Sequence, residues 1–162
     1  MYKQFKTNAN LEKSGITLDY GLFRLKCARA GGANINWQKT LDALSKPYKR
    51  QIDAETLPEA KGQELLRQAF SRSVVLGWEV AVDDKGDPIQ NEEDLPEEDA
   101  DRVWAPGLHS EDGSIVKFSA EAVAQAFKYL PDLFADIRAQ TTKSDLYKED
   151  IREAEAGNSK RS

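Results

Sequence analysis

His109, Ser110 and Asp112 stand close together in the string PGLHSEDG and supply the residue types of a base, a nucleophile and an orienting acid. A hydrolytic triad draws these groups from separate parts of a fold into one hydrogen-bonded line, which a cluster within one turn does not do. No GxSxG elbow accompanies them, so His109 is predicted to be a surface-turn histidine. Cys27 is the single cysteine and has no neighbour that would depress its thiol pKa. With one histidine and one cysteine, the chain offers too few ligands for a structural zinc site. The carboxylate pairs Glu92/Glu93, Glu97/Glu98 and Asp132/Asp136 sit in no context that would separate their pKa values for acid–base work.

Two further patterns invite a ligand. AGGAN (30–34) follows an alternating apolar stretch and precedes a helical one, the setting in which helix N-terminal amides attract anions. It carries neither GxGxxG nor GK[ST], and Arg24 and Arg29 fall at different strand phases, so a plain strand-to-helix turn is the reading preferred. The acidic run DDKGDPIQNEEDLPEEDAD (83–101) fails as an EF-hand: counted from Asp83, position 3 is Lys85 and position 6 is Pro88. A solvated acidic loop is expected instead. No catalytic, cofactor-binding or metal-ligating residue is assigned.

The elements that would position these groups follow from periodicity. Ile16, Leu18 and Tyr20, then Phe23, Leu25 and Cys27, alternate on either side of Gly21, which predicts a short hairpin. Asn34 is placed as the N-cap of a helix whose face reads Trp37, Leu41, Leu44 and Tyr48, ending near Lys46 ahead of Pro47. Thr56 is expected to cap the next helix, with Leu65, Leu66, Ala69, Phe70 and Val74 inward and an end near Gly77, before a strand WEVAV (78–82). RVWA (102–105) and SIVKF (114–118) are predicted as edge strands around SEDG. Ser119 caps a helix to Tyr129, Pro131 starts another, and Leu146, Tyr147 and Ile151 resume the apolar pattern. The sum is a helix-dominated α+β fold: a short N-terminal β-hairpin and small strands packed on a helical bundle.

With 162 residues, the chain fits one domain, 1–162, with 83–114 as an acidic, mobile insertion and 157–162 as a frayed tail. The net charge of −5 is concentrated. Residues 1–82 carry 13 basic and 8 acidic groups, whereas 83–101 carry ten acids and only Lys85. No apolar run approaches the ~20 residues of a membrane helix, the polar start MYKQFKTNANLEKSG is unlike a secretory signal, and a lone cysteine fits a reducing compartment. Lys46, Lys49 and Arg50 with Tyr48 form a basic-aromatic patch too small for a nucleic-acid footprint. What survives is apolar surface. FKYLPDLFADI (127–137) gathers Phe127, Tyr129, Leu130, Leu133, Phe134 and Ile137 into one segment, either a kinked core helix or a docking surface for a partner helix.

LFRLKCARAGGAN (22–34), PYKR (47–50), LLRQAFSRSVVLGWEVAVDDKGDPI (65–89), YLPDLFADI (129–137) and LYKEDIREAEAGN (146–158), in this order, resemble the small tail assembly chaperones of long-tailed, siphovirus-type bacteriophages. The chain departs from that pattern at roughly 90–114, which are inserted after the GDPI-like turn. The resemblance implies a non-enzymatic factor in the host cell cytoplasm, absent from the mature virion and using no cofactor. It would bind the tape measure protein and help recruit the tail tube protein. It also implies a frameshifted long form of the chain as a partner and leaves room for a homo-oligomer, with no nucleic acid and no membrane. The partner surface expected comprises Trp37, Leu41, Leu130, Leu133, Phe134 and Ile137. Competing readings are a structural virion protein, such as a minor tail or head–tail joining component, and an acidic phage inhibitor of a host protein.

Overall fold

The computed structural model describes residues 5–148. Ile151 and the tail 157–162 lie outside the described residues. The fold is α+β, with about 50% helix against 19% strand, so the helix-dominated expectation holds.

Helix α1 (Ala9–Ser14) is short and capped by Asn8, whose side chain accepts from the N–H groups of Asn10 and Leu11. The predicted hairpin follows as β1 (Ile16–Asp19) and β2 (Phe23–Cys27), in the register Leu18 opposite Leu25. β2 then pairs with β3 (Val75–Val82), and β3 with β4 (Val103–Pro106), giving one antiparallel sheet in the order β1-β2-β3-β4. Between β2 and β3 run α2 (Ile35–Ser45), a 3-10 turn at Lys46–Tyr48, α3 (Lys49–Asp53) and α4 (Glu59–Ser73). After β4 come the two-residue strands β5 (Leu108–His109) and β6 (Ile115–Val116), then α5 (Ala120–Tyr129) and α6 (Pro131–Thr142). Ser119 caps α5 as expected, accepting from the Ala122 N–H at 3.0 Å, and Pro131 opens α6.

The core lies between one sheet face and α4, α5 and α6. Leu25, Trp78, Val80 and Val82 meet Phe70, Val123, Phe127, Phe134 and Ile137 there. Through it runs a continuous chain of rings: Tyr20, Phe23, Trp78, Phe127, Phe134, Phe70 and Trp37, with successive centroids 4.6–6.2 Å apart. These are the spacings at which offset and edge-on aromatic pairs attract.

Several local expectations are corrected. α4 stops at Ser73 and β3 begins at Val75, because the β-branched pair Val74-Val75 is drawn into pairing with β2. The Ala28 N–H donates to Val74 O at 2.8 Å, and Cys27 sits opposite Val75. Thr56 does not cap α4; Pro58 holds that position, and the Thr56 N–H closes onto Gln51 O instead. RVWA and SIVKF are not partners of each other. β4 joins the main sheet, and the hairpin around SEDG is made by β5 and β6. Gly107 separates the two: it adopts φ +129°, and a Cβ there would collide with Ile115 Cγ2 and the Val116 carbonyl oxygen. Among the described residues after α6, a 3-10 turn spans Asp145–Tyr147.

The stretch 83–114 is likewise not one loop. Ile89 is buried with its N–H on Ala81 O, β4 extends the sheet, and Leu108 is a core residue. The carboxylates of Glu92, Glu93, Asp94, Glu97, Glu98, Asp99 and Asp101 all face solvent. The boundary 83–114 therefore cuts through the core, and its solvent-facing acids fall in separate groups: Asp83, Asp84 and Asp87, the stretch 90–101, and Glu111 with Asp112.

Candidate functional site

The AGGAN loop is the natural place to look for an anion, and it is already filled from within. Glu12 of α1 is 3% exposed and points into the loop. Its Oε2 accepts from Arg29 Nη1 at 2.7 Å and its Oε1 from Thr7 Oγ1 at 2.8 Å, and the Ala33 N–H adds a third bond. Burial alone would raise the Glu12 pKa; the bonds to Arg29, Thr7 and Ala33 outweigh it and hold the carboxyl below its ordinary value. Gly32, at φ +54°, is what makes room, since a Cβ there would collide with the Glu12 carboxylate. Asn34 stands at the N-cap position of α2 but does not cap it. Its Nδ2 donates to Arg29 O at 2.8 Å and Ser73 O at 3.0 Å, stapling the loop to the end of α4. The Ala30 N–H donates to Thr141 O, the Tyr147 hydroxyl to Cys27 O at 3.1 Å, and the Asn8 N–H to Tyr147 O at 2.6 Å. The loop is a structural hub in which the chain's own carboxylate sits where a phosphate would.

The other reactive types are either bonded within the chain or buried, with His109 Nε2 left without a hydrogen-bond partner. Asp112 accepts from Ser110 Oγ, from Ser114 Oγ at 2.6 Å and from the Ser114 N–H at 2.9 Å, which hold its carboxyl down at about 2. His109 lies one residue before that turn, on β5 and half-buried rather than on the surface turn itself, and burial pushes its pKa down. Cys27 is fully buried, and burial pushes its thiol up to about 12, so almost none is thiolate at neutral pH. Asp136 accepts the Tyr20 hydroxyl at 2.7 Å, tying the hairpin to α6, whereas Asp132 is exposed. Arg24 pairs with Glu79 at 2.9 Å and stacks on Trp104. Among the described residues no group of three or more His, Cys, Asp and Glu side chains could hold a metal ion, and no helix is long and apolar enough to cross a membrane.

The six residues expected to form a partner surface do not lie together. Phe134 is 3% exposed and Ile137 0%, so both belong to the core and are corrected as surface residues. The bend at Leu130–Pro131 turns their side of α6 onto Phe70 and Phe127, which satisfies them internally. Trp37 is half-buried and packs edge-on against Phe70 at 4.6 Å. Leu133 is half-buried against the same core, while Leu130 is 49% exposed beside the exposed Tyr129.

Leu41 lines a concave surface. Two hollows of about 340 and 390 Å³ adjoin at Ser45 and Ile52, on the outer side of the α2–α4 pair. Their floor is Leu41 from α2, Ile52 from α3, Leu57 from the connection and Leu66 from α4, with Gly62 keeping the α4 side shallow. Lys46 and Lys49 stand at the rim beside Asp42.

No family model, curated protein or solved structure matches this chain.

The site therefore rests on the geometry alone. Ile52 and Leu57 were missed because they lie outside any long periodic run, but Leu65-Leu66 carried a signal. In the structure both leucines line the hollow, Leu65 buried and Leu66 half-buried with part of its surface against the core, as their inward placement anticipates. A further hollow of about 490 Å³ between α4 and α5 is lined by Arg67, Arg72 and Lys128 together with Glu64 and Glu121, so its charges largely offset one another. What the α2–α4 groove can do chemically is bury apolar side chains of another molecule.

Proposed function

We propose that this chain is a non-enzymatic tail assembly chaperone of a long-tailed bacteriophage, binding the tape measure protein and helping to recruit the tail tube protein in the host cytoplasm. The observation that carries the reading is the open apolar groove on α2–α4. A helix-in-groove contact needs an apolar floor between helices and a charged exterior that keeps the complex soluble. Exposed Ile52 and half-buried Leu41, Leu57 and Leu66 line the groove, and the acidic stretch 90–101 projects its carboxylates into water. The ordered strings from 22–34 to 146–158 support the same reading.

Co-expression with the tape measure protein of the same genome tests it. The soluble fraction of that partner should rise several-fold and a complex should survive gel filtration. Unchanged solubility without a complex would sink the reading. Mass spectrometry of purified particles supplies a second test, because a chaperone is absent from mature virions and a minor tail or joining protein is present in them.

A further inference from the structure

The basic patch at Lys46–Arg50 and the apolar groove, separate features in the sequence, form one surface in the fold. Ser45 and Ile52 line both hollows, so the cations flank the apolar floor directly. The charges are unevenly placed: Lys46 and Lys49 outnumber Asp42 at the α2–α3 corner, and Glu59 lies at the α4 end. Asp42 accepts from Gln38 Nε2 at 2.8 Å, and Glu59 sits in the first turn of α4, where a carboxylate complements the helix dipole. Lys46 and Lys49 are exposed, and among the described residues neither takes part in an ion pair. Ile52 is 40% exposed on the floor between them and α4. Along α4 the lining runs from Glu59 to Leu66, a length of about two helical turns.

We infer that the α2–α4 groove takes about two turns of an amphipathic helix whose apolar stripe lies on Leu41, Ile52, Leu57 and Leu66 and whose carboxylates meet Lys46 and Lys49. This deepens the chaperone reading and rests on it for the partner's identity. It specifies the partner's chemistry, which that reading leaves open: apolar on one face, acidic on the flank that meets the α2–α3 corner. Cations at a groove rim act mainly by steering and by rejecting like-charged partners, so the contact weakens as salt screens them.

The test uses the full chain and three fluorescein-labelled peptides of about 18 residues. One carries a leucine stripe with glutamate flanks, one the same stripe with lysine flanks, and one the glutamate composition with the stripe scrambled. Fluorescence anisotropy should show the glutamate-flanked peptide binding roughly tenfold tighter than the lysine-flanked one at low salt, with the gap closing at high salt. Lys46→Glu with Lys49→Glu should reverse that preference, and Ile52→Asp should weaken both peptides roughly tenfold, each variant keeping its circular dichroism spectrum. Equal affinity for the two flanks, no binding, or a preference unmoved by the double reversal overturns the inference. So does a dimer of the wild-type chain that Ile52→Asp dissolves in sedimentation, because a second copy is then the occupant. The same variants separate this inference from the reading beneath it. If wild type solubilises the tape measure protein and the double reversal does so equally well, the groove assignment falls and the chaperone reading stands. If wild type fails to solubilise it while the peptide preferences hold, the chaperone reading falls alone.

Discussion

The glycine loop at 30–34 and the groove between α2 and α4 both sit at the ends of helices, and they treat their side chains in opposite ways. In the loop, the polar side chains are bonded to one another and to the backbone: Glu12 to Arg29 and Thr7, Asn34 to two carbonyls, the Tyr147 hydroxyl to a third, with Arg29 Nε left unpartnered. In the groove, Ile52 is 40% exposed and two lysines have no acidic partner among the described residues. Buried polar groups are costly to leave unpaired, so a loop this deep is closed by necessity. Exposed apolar groups at a concave surface carry a smaller penalty and can be retained for a partner. Substitutions in the loop should therefore be felt in stability, and those in the groove in binding.

The largest effect is expected at the loop's far edge. Tyr147→Ala removes a fully buried ring and its bond to Cys27 O, and should cost ~3–5 kcal/mol in urea denaturation. Tyr147→Phe keeps the ring and should cost about 1 kcal/mol. If both changes are nearly neutral, the hub does not carry the fold as described. Glu12→Gln comes next, at about 2 kcal/mol near neutral pH, since Arg29 keeps partial access to water. The pH dependence has a definite sign. The folded-state pKa of Glu12 lies below its unfolded value, so its contribution is present above the ordinary carboxylate range and is lost as pH falls through the lowered value. The gap between wild type and Glu12→Gln should accordingly close on acidification; a gap that stays constant would show that the charge is not what matters.

Groove substitutions should sit lower on the stability scale. Ile52→Asp should shift stability by no more than about 0.5 kcal/mol while abolishing most partner binding, which is the cleanest break between the two regions. The smallest effect is expected for Leu130→Ser, within about 0.5 kcal/mol in stability and without change in tape measure solubility. A loss of solubilisation there would move the partner surface to the α5–α6 corner.

The hairpin, the end of α2 at Pro47, the Ser119 cap and the Pro131 start were all legible in the sequence, because each depends on residues close in the chain. What was not legible depends on distant ones. Asn34 has the composition of a cap, yet its amide is drawn away by Ser73, 39 residues on. FKYLPDLFADI reads equally as core or as surface until Phe70 and Phe127 are known to lie against Phe134. Of the six partner residues expected, Leu41 belongs to the groove; Phe134 and Ile137 were placed wrongly because apolar density alone does not say which side is already covered. Ile52 and Leu57 become a surface only when α3 folds back beside α4.

The bond from Tyr147 to Cys27 joins points 120 residues apart. At roughly 5–20 residues per second, a ribosome needs about 6 to 24 s to travel between them. For that interval β2 has been synthesised but lacks the side chain that seals it, and the Asn8 N–H lacks its acceptor, Tyr147 O. The clasp closes only after Tyr147 has been made, and the native hub cannot form on a nascent chain that has not yet reached it.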